Sequence, residues 1–219
     1  MLGKTGLLAE QIARWETRYE EGRRFLDERQ YEEAAIVLEE TLANTNGLFS
    51  FPDSRLYENH FALGQAQMKL GRYQLAEANV METVKIAEAI YGSNSLRSHG
   101  ARMFLAMVLG YQGKCGEARE YWERAKPYVE SDPSTVGDYA IVKKAYDQMM
   151  AEAESGFVVA ADQYVNHAMN MERDGHSDQA ERVLKDALSY FENVAGKDHE
   201  STTMLRQRLQ QLGRSRGRS

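Results

Sequence analysis

One short motif recurs along the chain at a fixed distance, and this distance constrains the fold more than any other feature of the sequence. The alanines Ala34, Ala76 and Ala118 are 42 residues apart, and they follow the similar stretches Arg29-Gln30-Tyr31, Gly71-Arg72-Tyr73 and Gly113-Lys114-Cys115. A fourth strong copy ends at Ala180, 62 residues after Ala118, and a fainter copy at 155–160 keeps the spacing of 42. Self-similarity at a period of 20–50 residues indicates an array of repeated structural units.

The repeat also contains a pair of small residues. Twelve positions before each alanine lies a second small residue, and four positions after it lies a larger apolar one. Glycine in a helix interior costs about 1 kcal/mol relative to alanine, so Gly22 and Gly64 require a reason. A closely crossing partner helix supplies one, because small residues allow two helices to approach while a larger side chain fills the space beside them. The small residues are Gly22, Gly64, Ala106 and Ala168, and the larger ones are Leu38, Val80, Trp122 and Leu184.

Helical periodicity extends over nearly the whole chain. Apolar residues recur three or four apart, and the 219 residues include only 3 prolines and 42% apolar residues, enough to bury a core. Asp53-Ser54 is typical of a helix start, while Gly92 and Gly196 are typical of helix ends. These signals predict ten helices, near 7–28, 31–45, 54–70, 73–91, 95–112, 115–130, 134–154, 157–173, 177–195 and 199–212.

The repeat resembles the tetratricopeptide repeat (TPR), whose pattern is matched best by Leu63-Gly64 and the Ala76 to Val80 spacing. The period of 42 and phrases such as Ile90-Tyr91-Gly92 are similar to the kinesin-light-chain type of this repeat. The resemblance implies an all-α fold, a right-handed superhelical solenoid of antiparallel helix pairs with about ten helices. A HEAT or armadillo array is the alternative, since its period is similar, but it would not require the small-residue pair.

The predicted domain is a single solenoid over 1–212, with helix pairs near 7–45, 54–91 and 95–130 and an uncertain register over 134–212. With a strict period, 134–154 and 157–173 form one pair. If the strong motif at Gly175 marks a hairpin, 157–173 pairs with 177–195 and 134–154 is an additional helix. Both interpretations remain open at this level. Residues 213–219 are expected to form a flexible basic tail.

Catalytic and metal-binding patterns are absent from the sequence. No recognised nucleophile motif, nucleotide-binding motif or metal-ligand spacing occurs, so we expect no enzyme activity, no cofactor and no metal. The one cysteine, Cys115, excludes a disulfide framework and is expected to be a small core residue. No apolar run is long enough for a signal peptide or a membrane span, and a cytoplasmic protein is expected.

The charge distribution limits the choice of partners. A net charge of −6 argues against nucleic-acid binding by the whole chain. The C-terminal stretch is basic and could contact RNA, an anionic membrane or the acidic body of the protein. Its arginines are Arg206, Arg208, Arg214, Arg216 and Arg218.

In arrays of the kind that the sequence resembles, the first helix of each pair lines a concave face. The resemblance implies a groove on the second and third pairs, in which methionines could receive an apolar segment and Arg97 and Arg102 could steer an acidic one. We expect a non-catalytic interaction module or scaffold that binds a peptide or amphipathic helix of another protein. The alternative is a regulatory receptor or signalling accessory domain whose groove binds a small peptide or ligand. The predicted groove residues are Glu58, Phe61, Gln65, Met68, Lys69, Met103, Met107 and Tyr111.

Overall fold

A computed structural model describes residues 4–45, 47–131 and 136–216. All regular secondary structure in these ranges is helical, which confirms the all-α prediction. The helices are α1 (Lys4–Asp27), α2 (Tyr31–Ala43), α3 (Ser54–Lys69), α4 (Tyr73–Tyr91), α5 (Leu96–Tyr111), α6 (Cys115–Glu130), α7 (Val136–Arg173), α8 (Ser177–Val194) and α9 (Glu200–Arg216).

Each of the four strong sequence copies coincides with a tight turn between two helices. At every one of these turns a residue with positive φ follows the first helix, and the next backbone N–H donates to the carbonyl five residues earlier at 2.8–3.0 Å. This bond satisfies a carbonyl that the end of the helix would otherwise leave unpaired. The residues with positive φ are Arg29, Gly71, Gly113 and Gly175, between α1 and α2, α3 and α4, α5 and α6, and α7 and α8.

The chain divides into two compact units. The N-terminal unit comprises Met1–Val108 and Tyr121–Thr135, and the C-terminal unit comprises Leu109–Glu120 and Val136–Ser219. A single domain over 1–212 therefore stays a prediction, and each unit has its own helix packing.

The small-residue pairs hold the helix pairs of the N-terminal unit together. A methyl group built on Gly22 would lie 2.7 Å from Leu38 Cγ, and one built on Gly64 would lie 2.7 Å from Val80 Cγ2. Leu38 and Val80 are fully buried. The large side chain of the second helix therefore occupies the space that the glycine leaves, as the spacing predicts, and the TPR-like packing of these pairs is confirmed.

Helix α7 differs from the prediction. The predicted break between 154 and 157 is absent, and one helix of 38 residues runs from Val136 to Arg173. The faint motif at 155–160 contains Gly156, but this glycine lacks the positive φ that ends the other helices, and a single helical glycine costs only about 1 kcal/mol. The predicted helix start at 134 lies outside the described residues.

Because α7 is continuous, the helices pair as the strong motif at Gly175 predicts and not as a strict period of 42 residues predicts. The C-terminal half of α7 forms a hairpin with α8 around Gly175, so the interpretation in which 157–173 pairs with 177–195 is confirmed. The stretch 136–156 is an extension of that same helix, so it is not the separate additional helix of this interpretation. It does not form an antiparallel pair with 157–173 either, so the strict pairing is also wrong. The core of this hairpin, which α9 also contacts, comprises Ala161, Ala168, Ala180, Leu184, Ala187, Phe191, Leu205 and Leu212.

The junction between α4 and α5 is fastened by one arginine and one serine. Arg102 donates to the Ser93 carbonyl at 2.8 Å and to Glu88 Oε1 at 2.5 Å, so it bridges the loop and the end of α4. The Ser98 hydroxyl donates to the Gly92 carbonyl at 2.8 Å. We call this arrangement the junction clamp.

The same clamp recurs between α8 and α9, 104 residues later. Arg206 donates to the Lys197 carbonyl at 3.2 Å and to Glu192 Oε1 at 2.8 Å. The Thr202 hydroxyl donates to the Gly196 carbonyl at 2.8 Å. By this correspondence α9 is equivalent to α5, the first helix of a pair. It continues through Arg216, four residues beyond the predicted end at 212.

Candidate partner-binding cleft

The N-terminal unit contains a cleft of about 480 Å³ between α1 and α3, bordered by the end of α4 and the start of α5. We call it the α1–α3 cleft. First helices of successive pairs provide most of its walls, as in a concave face. Its lining residues are Trp15, Glu16, Tyr19, Glu20, Ser54, Arg55, Glu58, Tyr91 and Arg97.

Aromatic rings form a large part of the cleft wall. The Trp15 ring stacks on Tyr19 with centroids 5.5 Å apart and meets Phe49 edge to face at 5.0 Å. Tyr91 contacts Tyr57 edge to face at 6.0 Å. Trp15 is only 4% exposed, and its indole N–H has no hydrogen-bond acceptor among the described residues. These packed rings have fixed orientations, which lowers the entropy lost when a partner binds.

Arg55 is held in place by an acid and a ring. Its Nε and Nη2 donate to the two carboxylate oxygens of Asp53 at 3.0 and 2.8 Å, and the guanidinium carbon lies 3.9 Å from the Phe49 ring centroid. These hydrogen bonds hold the pKa of the Asp53 carboxyl below its usual range. Asp53 is also the N-cap of α3 and accepts the Arg55 backbone N–H at 2.9 Å, as the helix-start signal predicts.

Arg97 is held in a similar way on the other side of the cleft. Its Nη1 donates to the Tyr91 hydroxyl at 2.8 Å and to Glu58 Oε1 at 3.3 Å, and its guanidinium carbon lies 4.8 Å from the Tyr91 ring centroid. Arg102 is paired with Glu88 in the junction clamp. Both arginines that were expected to steer an acidic segment therefore already have a glutamate partner.

Carboxylates outnumber cations in the cleft. Glu16, Glu20 and Glu58 face Arg55 and Arg97, and the charge of Arg55 is balanced by Asp53 just outside the lining. Glu16 reaches Arg55 only at 3.9 Å. The exposed Glu20 has no cation within ion-pair distance in the described part of the chain. The open surface of the cleft is therefore acidic and aromatic.

The residues predicted from the sequence are placed differently from one another. Glu58 lines the α1–α3 cleft. The Phe61 ring packs edge to face on Phe104, with centroids 5.2 Å apart. Met103 is only 4% exposed, so it is a core residue and not part of an exposed methionine groove. Gln65, Met68 and Met107 are half-buried, Lys69 is exposed, and Tyr111, at 43% exposure, belongs to the C-terminal unit.

The contribution of α1 to the cleft was not predicted from the sequence. In the sequence, Trp15 and Tyr19 belong to an apolar stripe with helical spacing, and the predicted groove covers only the second and third pairs. Counting back from Gly22 in the same way as from Gly64 gives Glu16 and Tyr19 as inward positions of the first pair. The signal was therefore present. The involvement of Tyr91 and Arg97 could not be found in this way, since both lie outside the counted positions.

Reactive groups elsewhere do not assemble into a site. Cys115 is fully buried, and burial raises the pKa of its thiol to about 11, so it carries no thiolate at neutral pH. Among the described residues no three His, Cys, Asp or Glu side chains are placed to share a metal ion. No helix in the described ranges has the length and apolar character to cross a membrane.

The arginine-rich C-terminal stretch is partly engaged within the chain. Arg206 belongs to the second junction clamp, and Arg208 forms an ion pair with Glu172 of α7. Arg214 is exposed on α9. The side chain of Arg216 and the whole of Arg218 lie outside the described residues. Two of the five arginines therefore stabilise the C-terminal unit.

Comparison with known proteins reveals a similarity of structure. No family model matches the sequence, and no curated protein matches it. Among solved structures, the chain is similar to a crystal structure from Podospora anserina, of a protein described as a putative kinesin light chain with nearly identical TPR-like repeats. The sequence identity is 17%, the TM-score is 0.49, and the alignment covers 94% of this chain and 87% of the other.

Proposed function

We propose that this chain is a non-catalytic protein–protein interaction module that binds a segment of another protein in the α1–α3 cleft. The observation that carries the proposal is the cleft itself, in which rigid aromatic rings and exposed charges from α1 and α3 converge. A volume of about 480 Å³ is within the range of ligand sites and can accept a few side chains of a peptide or helix.

The chemistry of the cleft supports binding and not catalysis. Its carboxylates and arginines pair with one another or face solvent, no histidine or cysteine lines it, and the exposed hydroxyl of Ser54 has no histidine beside it in the lining. Tyrosine, tryptophan and arginine are the residue types that dominate the energetics of protein interfaces, and all three are present here. A receptor that encloses a small ligand with methionines is not favoured, because Met103 is buried and no methionine lines the cleft.

A random-peptide display library tests the proposal. The immobilised wild-type chain should enrich peptides, and the variant Ser54→Trp should lose them, because Ser54 is exposed at the start of α3 and a tryptophan there would fill the cleft. Gln74→Trp is the matched control, since Gln74 is equally exposed near the start of α4 and does not line the cleft.

Circular dichroism melts of the two variants establish that both remain folded. If the wild type, Ser54→Trp and Gln74→Trp enrich the same peptides equally, the peptides bind outside the cleft. The absence of any enriched peptide would contradict the interaction function.

A further inference from the structure

We infer that the partner segment carries an arginine or lysine side chain that binds against Tyr19, Glu16 and Glu20 in the α1–α3 cleft. This inference rests on the proposed function and adds the chemistry of the ligand. It reverses the expectation from the sequence, in which basic residues of the chain steer an acidic partner.

The charge that the cleft leaves unbalanced favours a cationic ligand. Arg55 is matched by Asp53, and Arg97 is matched by Glu58. Glu16 is weakly paired at 3.9 Å with an arginine that already binds Asp53 more closely. Glu20 forms no ion pair among the described residues, and the nearby Arg23 donates to the Tyr19 hydroxyl. Two carboxylates on consecutive turns of α1 therefore face the cleft with little compensation. A cationic side chain would balance them, whereas an acidic one would be repelled.

The cleft already holds guanidinium groups by the same chemistry. Arg55 and Arg97 each combine a carboxylate with an aromatic face, at 3.9 Å from the Phe49 centroid and 4.8 Å from the Tyr91 centroid. A cation above an aromatic ring gains electrostatic energy that increases as water is excluded. Tyr19, next to Glu16 and Glu20 in the lining, provides a third ring beside carboxylates. Trp15 stacks on this ring with centroids 5.5 Å apart, and the Tyr19 hydroxyl accepts from Arg23 Nη1 at 3.3 Å, so a ligand cation would bind against the other face of the ring.

The experiment begins with the peptides that the wild-type chain enriches from the random library. Their sequences should contain arginine or lysine more often than the unselected library does. One enriched peptide is then labelled with fluorescein, and its dissociation constant is measured by fluorescence anisotropy. Replacement of its arginine by citrulline, which keeps the shape and removes the charge, should weaken binding about tenfold. Binding should also weaken between about 0.05 M and about 0.5 M NaCl, because partly exposed charges are screened.

Variants of the chain supply the reciprocal test. The double variant Glu16→Gln with Glu20→Gln should weaken binding of the arginine peptide about tenfold and leave binding of the citrulline peptide nearly unchanged. Glu123→Gln is the control, because Glu123 is an exposed glutamate of α6 that does not line the cleft. It should bind both peptides as the wild type does. Far-UV circular dichroism of each variant verifies its helix content.

The outcomes separate this inference from the proposed function. If the peptides lost with Ser54→Trp are acidic or uncharged, the inference is overturned and the proposed interaction function stands. Equal binding of the arginine and citrulline peptides would do the same. If no peptide is enriched, both proposals fall.

Discussion

The replacement of Gly22 by alanine measures how closely α1 and α2 cross. Two effects oppose each other at this position. Alanine gains about 1 kcal/mol over glycine inside a helix. Against this, the new methyl group would lie 2.7 Å from Leu38 Cγ and 2.8 Å from Leu38 Cδ2, about 1 Å closer than an ordinary carbon–carbon contact. Leu38 is fully buried and cannot move into solvent, so overpacking should cost about 1–3 kcal/mol.

The sum of the two effects is a loss of about 0–2 kcal/mol for Gly22→Ala. Gly100→Ala is the matched control, because Gly100 is an exposed glycine inside α5 around which a methyl group would meet no atom within 4 Å. It should gain about 1 kcal/mol from helix propensity alone. The two variants should therefore differ by about 1–3 kcal/mol, which for a chain of this length corresponds to about 3–10 °C in melting temperature.

Thermal melts followed by circular dichroism and urea titrations measure both variants. A second background isolates the cause. In the presence of Leu38→Ala the obstructing atoms are gone, so Gly22→Ala should become stabilising, and the double-mutant cycle should show a favourable coupling. If Gly22→Ala is as stable as Gly100→Ala in the wild-type background, the close approach of α1 and α2 is contradicted.

Three further outcomes are expected. Arg29→Gly should raise the free energy of unfolding by about 0.5–1 kcal/mol in urea titrations, because Arg29 has φ 62°, which is costly for a residue with a side chain, while Arg29→Ala should bring no gain. Burial and the nearby Arg102 lower the pKa of His99, so below about pH 6.5 the unfolded chain binds a proton more readily than the folded chain does, and the free energy of unfolding should fall as the pH decreases. In urea midpoints measured at several pH values, His99→Gln should reduce this dependence. Met103→Glu should lower stability by about 3 kcal/mol or more, because it buries an unpaired charge, whereas Met169→Glu, at a position 48% exposed, should change it by less than about 0.5 kcal/mol in the same titrations.

The hairpins of the fold could be predicted because their signals are local. A glycine with positive φ at Gly71, Gly113 and Gly175 ends one helix, and Gly22 and Gly64, each 12 positions before a repeat alanine, face the next helix. Even Arg29 takes the same backbone conformation, so the repeat outweighs the preference of a single residue. The continuity of α7 was not predictable in this way, because Gly156 is compatible with both a helix and a turn, and packing decides between them.

The cleft was less predictable than the fold. The pattern around Met103 shows that it lies on an inward face of α5, but periodicity alone cannot show whether that face is covered by another side chain. For the same reason the apolar spacing of Trp15 and Tyr19 does not show that they also line the cleft. The pairing of Arg97 with Glu58, 39 residues apart, depends on how α3 and α5 approach each other, which no local pattern specifies.

The junction clamp has a consequence for how an array of this kind unfolds. In a linear array the total stability is approximately a sum of the intrinsic stability of each repeat and the coupling between nearest neighbours. Arg102 and Arg206 each tie the end of one hairpin and its outgoing loop to the first helix of the next, so their hydrogen bonds contribute to the coupling and not to either hairpin alone. Replacement of such a residue should let neighbouring hairpins open more independently. In the variant, the amide hydrogens of Ser93 and Lys197 should then exchange with solvent at a lower opening free energy than those of the helix interiors. In this sense Arg102 and Arg206 each contribute to the cooperativity between one hairpin and the helix that follows it.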